Sequence, residues 1–437
     1  MIEPVDFAEV YIWDVRVGVV AYDRKSGLAS FEYDSNWIGY DIELFPIHMP
    51  LSRETYSFPA LPRETYKGLP AGLADTLPDD FGNAIIDTWL SRQGRDKASF
   101  SPVERLLYTG NRGMGALEYR DAINLNNGGP QELQLDSLVK VAQEILDSRG
   151  ELTVDLAGDE EQAIKDLFQV GVSAGGARPK AVIAINEDRT SVLSGQADAP
   201  EGYEHYLIKF DGVTEKNQDK ETYGDPQGFG RSEYAYFLMA RDAGITISDC
   251  ELLKTGDLAH FMTKRFDRVN GGKLHYQSYC AMGHVDFRQK GAHSYEGLLG
   301  TMRELGLTRD EQIELFRRSV FNIVARNQDD HTKNFGFLQG GDGVWALAPA
   351  FDVAYSYNPK GDWTKYHQMS VNGKVGDFTR ADLLSVCDKI TNFKEKEAND
   401  IINRVVEIVS QWDSYAERAG VFDWYKKQIA SNLRLGI

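Results

Sequence analysis

Short apolar runs of alternating polarity open the chain. Segments 10–14, 15–23 and 28–34 are rich in Val, Ile, Tyr and Phe and predict three strands, with a turn over 24–27. A loop rich in Pro, Ser and Arg follows over about 46–75. In 78–93 the period changes: Phe81, Ile85, Ile86 and Trp89 form one stripe of an amphipathic helix. Residues 117–119 predict a short strand after the glycines of GNRGMGAL (110–117). Residues 126–134 read as a linker, and helical patterns follow at about 135–147 and 158–169. Strand patterns return at 181–185, 205–210, 250–253 and 260–267. Polar residues 211–229 predict a mobile loop, and 231–244 a helix closed by Gly244. From about 295 the pattern is mainly helical. Thr308 and Glu311 form a capping box ahead of Ile313, Phe316, Val320 and Ile323. A hairpin is expected from 335–338, a turn at 339–343 and 344–348, then three more helical patterns beyond Thr379.

Composition bounds the function classes. With 437 residues, 42% apolar and 26% charged, the chain can bury a sizeable core. No window approaches the ~18 unbroken apolar residues of a membrane helix. The first ten residues carry acids in place of a basic n-region, so no secretory signal is expected. Cys250, Cys280 and Cys387 are odd in number and far apart, which argues against a disulfide framework or a cysteine zinc site and fits a reducing cytoplasm. The net charge of −18 opposes a protein that coats nucleic acid on its own.

The richest chemistry lies in 326–335, between a capped helix and a hairpin. Asp329 and Asn334 are spaced D-x-x-x-x-N, as in protein-kinase catalytic loops. There, a carboxylate accepts a hydroxyl proton while an amide oxygen a short loop away holds Mg²⁺. Asp352, in Phe351-Asp352-Val353, offers a second metal oxygen. An antiparallel hairpin returns the chain to its starting end, so Asn334 and Asp352 can converge. Read singly, Asp329, Asp330 and Asn334 could each cap a helix or turn; the spacing and the returning Asp352 favour the catalytic reading. His331 would contact a phosphate or orient Asp329. The other histidines show no metal-ligand spacing.

Lys209 lies in a strand that reads as buried, where a lysine needs a partner. It would take nucleotide phosphates and pair with Glu233 on the next helix; the alternative is a lysine at an exposed strand end. The glycine-rich loop 171–180 could cradle phosphates with backbone N–H groups and Lys180. It is neither a Walker A loop, because Ala177-Arg178 replaces the Lys-Ser/Thr, nor a kinase G-x-G-x-x-G. It also contains G-x-S-x-G around Ser173. That pattern would suit a serine hydrolase, but the predicted order of helix, loop and strand reverses that of a nucleophile elbow.

In order along nearly the whole chain, LPDDFGN, GNRGMGAL, SAGGARPK, HYLIKF, SEYAYFLMARDAG, KRFDR, DDHTKNFGF and LAPAFDVAYS resemble the HipA-like serine/threonine kinases, toxins of bacterial toxin–antitoxin modules. The 18-residue interval from Asn334 to Asp352 fits as well. The resemblance implies an α+β, kinase-like two-lobed fold: an N-terminal subdomain (1–128), a nucleotide lobe (129–267) and a helical lobe (268–437), with ATP between the lobes. It implies Asp329 as catalytic base and Asn334 and Asp352 as Mg²⁺ ligands. Lys209 would meet the ATP phosphates, and Gly175, Gly176, Ala177, Arg178, Pro179 and Lys180 would form the phosphate loop. Lys264, Arg265 and Phe266 would be the adenine hinge, and Asp267 would reach the ribose. His331, Thr332, Lys333, Asn334, Phe351 and Asp352 would complete the ATP site. Ser173 matches a serine whose autophosphorylation silences the family's kinases. The implied partners are a small DNA-binding antitoxin of the HipB-like type, operator DNA through that antitoxin, and a protein substrate. In the best-known member this substrate is glutamyl-tRNA synthetase, which makes an aminoacyl-tRNA synthetase the class to expect. That member reads Gln-Glu-Lys at Arg178-Pro179-Lys180 and Asp-Gly-His at Asp329-Asp330-His331. A catalytically silent antitoxin-binding protein is the alternative within the same resemblance.

Overall fold

The computed structural model describes residues 5–92, 94–120, 138–140, 142–143, 179–195, 199–214, 224–225 and 227–437. The linker at 126–134, the helical pattern at 158–169, most of that at 135–147, and loop residues 171–178 lie outside them. The chain forms two compact units, one of residues 1–227, 253–277 and 339–343, the other of 228–252, 278–338 and 344–437. Among the described residues, no helix is long and apolar enough to cross a membrane.

Two five-stranded sheets dominate the described residues of the first unit. Strands Phe7–Ile12, Val15–Asp23 and Leu28–Tyr33 run antiparallel, with Thr55–Tyr56 and Leu117–Arg120 at the two edges. The first hairpin closes on Trp13 and Asp14, both with positive φ (49° and 61°). Such a two-residue loop matches strand twist, but usually recruits Asn or Gly. Here the Trp13 indole donates to the Lys273 carbonyl at 2.7 Å, which anchors an otherwise costly conformation. Helix Pro102–Thr109, absent from the predicted elements, starts at a full capping box of Ser101 and Glu104.

In the second sheet, Lys180–Asn186 and Tyr203–Lys209 pair antiparallel from Lys180↔Lys209 to Asn186↔Tyr203. Leu258–Lys264 joins the far side of Tyr203–Lys209, with Phe261 opposite Lys209. Side chains alternate across a sheet. Ala181, Ile183, Ile185, Tyr206 and Ile208 therefore share one face, buried with Phe81 and Ile85 of helix Asp80–Arg92. Lys180 and Lys209 fall on the other face. Within 211–229, Val213–Thr214 pairs with Gly224–Asp225.

The second unit is mainly helical. Helix Phe229–Asp242 ends one residue before Ala243, with Gly244 in the left-handed region at φ 85°. Helix Arg309–Val324 begins at the expected Thr308–Glu311 capping box. The hairpin is shorter than predicted, Gly336–Gln339 and Trp345–Leu347. Beyond Thr379 the structure has four α-helices where three were predicted: Arg380–Leu384, Glu395–Val409, Trp412–Ala419 and Asp423–Ala430.

His275 gives the first unit a pH dependence. It is fully buried, with Nε2 3.2 Å from the Leu44 carbonyl, and burial pushes its pKa down to about 4. The unfolded chain binds this proton near pH 6.5 while the folded chain does not. Stability from this group is therefore complete above pH 6.5 and falls as pH drops toward 4. The loss is about 3 kcal/mol at most. Denaturant unfolding between pH 7.5 and 4.5 should show that slope in the wild type and lose it in His275→Gln.

Candidate active site

Helix Arg309–Val324 delivers the chain to the key loop. Arg326, at φ 59°, turns it out of the helix, and residues 327–331 run on to a short 3₁₀ turn, Thr332–Asn334. The neighbouring aspartates take opposite environments. The Asp330 side chain is 0% exposed, and the Asp329 side chain is 36% exposed. Asp330 Oδ2 accepts from Tyr295 Oη and meets His367 Nδ1, both at 2.8 Å, while Oδ1 accepts from the Gln368 N–H at 2.8 Å. Burial and the Asp330 carboxylate hold the Tyr295 phenol well above its usual pKa, so it remains a donor. Asn322 donates to Tyr295 Oη at 3.0 Å and accepts from Asn327 Nδ2 at 2.9 Å. This network belongs to the loop's architecture, and it leaves Asp329 as the carboxylate facing outward.

Asn334 donates Nδ2 to the Asp329 carbonyl at 2.8 Å. That bond takes one of the two amide N–H donors and fixes the amide's orientation, with Oδ1 as its acceptor atom. Asn334, Phe351 and Asp352 line one small cavity, together with Asn327 and Asp330. The structure thus brings Asn334 and Asp352 to one cavity. Asp352 sits at φ 56°, a conformation that Asp tolerates better than most residues. Arg318 fixes the segment leading to it, donating to the Ala348 carbonyl at 2.9 Å, the Thr246 carbonyl at 3.2 Å and Glu314 at 3.0 Å.

The donor set fits Mg²⁺, which prefers oxygen and commonly takes one or two protein ligands plus phosphate and water oxygens. Among the described residues there is no group of three or more His, Cys, Asp or Glu placed to hold a metal. Asn334 and Asp352 are two oxygen-bearing residues on the lining of one cavity.

The remaining loop residues divide. His331 Nε2 lies 3.8 Å from Asp329 Oδ1, and its ring packs 5.3 Å from Phe287. Lys333 Nζ lies over the same Phe287 ring at 5.2 Å. Thr332 is buried, its hydroxyl donating to the Val285 carbonyl at 2.8 Å.

In the first unit, Lys180 and Lys209 are both buried and directly opposite in register. Like charges so placed repel unless anions intervene. Asp79, just before helix Asp80–Arg92, supplies one at 3.0 Å from Lys180. Burial raises the pKa of Asp79 against the opposing pull of Lys180. Lys209 Nζ lies 5.7 Å over the Phe261 ring. The Pro179 carbonyl accepts from the Phe210 N–H at 3.1 Å. Ser173 and residues Gly175, Gly176, Ala177 and Arg178 lie outside the described residues. Glu233 is buried on helix Phe229–Asp242 of the second unit.

The presumed hinge takes varied positions. Lys264 pairs with Glu204, and Phe266 packs against Tyr276. Arg265 and Arg268 both grip the fully buried Asp267, at 2.5 and 2.6 Å. The Gly115 N–H adds 2.7 Å, and Arg265 also donates to the Gly113 carbonyl at 2.8 Å. The two arginines hold Asp267 well below the ordinary carboxylate range against a large burial penalty. Arg265 Nε donates to Asp267 Oδ1 at 2.9 Å, so both Asp267 oxygens are engaged in fastening the GNRGMGAL turn to the hinge segment.

Four residues escaped the sequence reading: Asp79, Arg318, His367 and Trp363, whose indole donates to Asp329 Oδ1 at 2.6 Å. Asp79 stood within a quoted segment, LPDDFGN, and a buried Lys180 needing an anion could have pointed to it. The others act across long sequence separations and leave no local pattern.

Comparison with known proteins agrees with this architecture. A family described as HipA N-terminal domain matches residues 8–120, and one described as HipA-like C-terminal domain matches residues 172–412. HipA of Shewanella oneidensis MR-1, solved in a toxin–antitoxin complex with HipB and operator DNA, is 14% identical. That match covers 97% of this chain and 96% of that one, at a TM-score of 0.66, and shows the same fold. The Helicobacter pylori proinflammatory kinase CtkA matches 56% of this chain and 92% of its own, at 15% identity and a TM-score of 0.32. With the HipA-like C-terminal domain matched over more than half of the chain and the N-terminal domain matched ahead of it, the chain belongs to the HipA family.

Proposed function

We propose that the chain is an ATP- and Mg²⁺-dependent serine/threonine protein kinase and the toxin of a toxin–antitoxin pair. The observation that carries this reading is the catalytic loop, where an outward Asp329 is hydrogen-bonded through its carbonyl to Asn334, and Asn334 shares a cavity with Asp352. Asp329 accepts the proton of a substrate hydroxyl as the oxygen attacks the γ-phosphorus and ADP departs. Asn334 Oδ1 and Asp352 hold the cation. Bound Mg²⁺ supplies charge neutralisation at the transferring phosphoryl group. Lys209 and Lys180 present adjacent positive charge to phosphates, which explains why two buried cations face one another. Lys264, Arg265 and Phe266 remain the proposed adenine segment. Ser173 is the proposed site of silencing autophosphorylation, since a phosphate there would compete for the same donors.

The related HipA structure contains HipB and operator DNA. By analogy, a small basic antitoxin is the proposed partner here, carrying the complex to its operator. The net charge of −18 suits such a partner better than direct DNA binding. The proposed substrate class is an aminoacyl-tRNA synthetase, and the proposed location is the cytoplasm.

Two measurements test the reading. Dephosphorylated protein incubated with Mg²⁺-ATP should gain phosphate on Ser173, read by intact mass and phosphopeptide mapping. Asp329→Ala should gain none while still binding ATP by calorimetry; phosphate transfer by Asp329→Ala sinks the assignment. Asp352→Asn keeps the side-chain shape and tolerates the left-handed backbone, yet removes the charge. It should raise the Mg²⁺ concentration for half-maximal activity by about tenfold or more. An unaltered Mg²⁺ dependence would remove Asp352 from the cation site.

A further inference from the structure

Trp363 sits at the second layer of the loop. Its Nε1–H donates to Asp329 Oδ1 at 2.6 Å. Its ring is 6.5 Å from Phe287 and 6.2 Å from His331, and Lys290 Nζ lies 5.2 Å over its face. The segment carrying it is pinned along its length. Lys290 donates to the Asp362 carbonyl at 2.6 Å, and Gln328 to the Lys365 carbonyl at 3.2 Å. The Gln368 side-chain amide donates to the Trp363 carbonyl. Asp330 takes His367 and the Gln368 N–H, and the Gly291 N–H donates to the Gln368 carbonyl at 2.9 Å. The indole is thereby fixed from both ends of its own segment and from two neighbouring rings.

An outward aspartate has two soft torsions, and a general base works only with a lone pair aimed at the proton it removes. An indole N–H is a donor without an acceptor. It can hold one carboxylate oxygen but cannot itself take the proton. We propose that Trp363 is a positioning residue for Asp329. It clamps Oδ1 and so fixes the orientation in which the carboxylate meets the substrate proton. The inference rests on Asp329 being the catalytic base.

The test replaces Trp363 with benzothienylalanine, an isostere whose sulfur stands where the N–H was, and separately with Phe. Phosphoryl transfer is followed in single-turnover autophosphorylation, with ATP affinity by calorimetry and melting temperature as a check on folding. Losing one hydrogen bond to a charged group should lower the transfer rate by about 10- to 100-fold in both variants. ATP affinity should stay within about twofold, because the clamp acts at the hydroxyl end. Three outcomes overturn the proposal. An unchanged rate with benzothienylalanine makes the ring's packing the sole contribution. A faster rate makes Trp363 a cover over the base. Equal losses of rate and ATP affinity make the role structural. If wild type binds ATP but transfers nothing, the kinase reading itself fails and this inference falls with it. An active wild type with unaffected variants removes only the role of Trp363.

Discussion

A single buried charge organises the loop that carries Asp329 and Asn334. Taking the Asp330 carboxylate out of water costs several kcal/mol, and the cost is met only if its oxygens are fully engaged. Tyr295, His367 and the Gln368 backbone supply three donors, each worth about 1.5–3 kcal/mol when the acceptor is charged. The donors come from a helix N-terminus and a segment more than thirty residues downstream. Their geometry therefore holds together three stretches of chain that the sequence separates. With Asp330 anchored inward, Asp329 is the exposed carboxylate of the two. The same anchor retains the segment bearing Trp363. The position that is Gly in the best-known relative here carries the residue on which the loop depends.

The sheet of Lys180 and Lys209 is built on a second unfavourable arrangement. Lys180 and Lys209 are opposite in an antiparallel ladder and almost without solvent. Desolvation and mutual repulsion both disfavour such a pair. Asp79 balances Lys180, and the neighbouring Phe261 ring offers Lys209 a weaker counterpart. Helix Asp80–Arg92 buries its apolar stripe on the opposite face of the sheet and places Asp79 at its start. Packing on one face thus positions the counter-ion that the other face requires.

Much of this was legible from sequence, for reasons that differ by element. The Thr308–Glu311 cap, the helix stop at Gly244 and the hairpin after Asn334 are signalled within a few residues. So is the Asp329–Asn334 spacing, because a short loop fixes the separation of its ends. Asp352 was legible through topology, since a hairpin must return. The division of labour between Asp329 and Asp330 was not, because either could have faced out until Tyr295 and His367 were placed. The Trp13–Asp14 turn was hidden for a similar reason: a distant Lys273 carbonyl stabilises a turn that local preference would give to Asn or Gly. Asp267 reads as a site residue in KRFDR, but Arg265, Arg268 and Gly115 engage it internally.

Asp352 joins these themes. A left-handed aspartate costs about 1 kcal/mol and persists only where its surroundings hold it. Arg318 does so from the helix that precedes the catalytic loop, binding the carbonyls of Ala348 and Thr246 while Glu314 steadies its guanidinium. The Glu314 carboxylate also accepts the Thr246 N–H at 2.9 Å. One helix therefore controls both oxygen donors, Asn334 through the loop at its C-terminus and Asp352 through the arginine on its side. Mg²⁺ tolerates little departure from octahedral geometry. A common support on one helix would suit a cation held between the two proposed donors better than a pair of independently anchored loops.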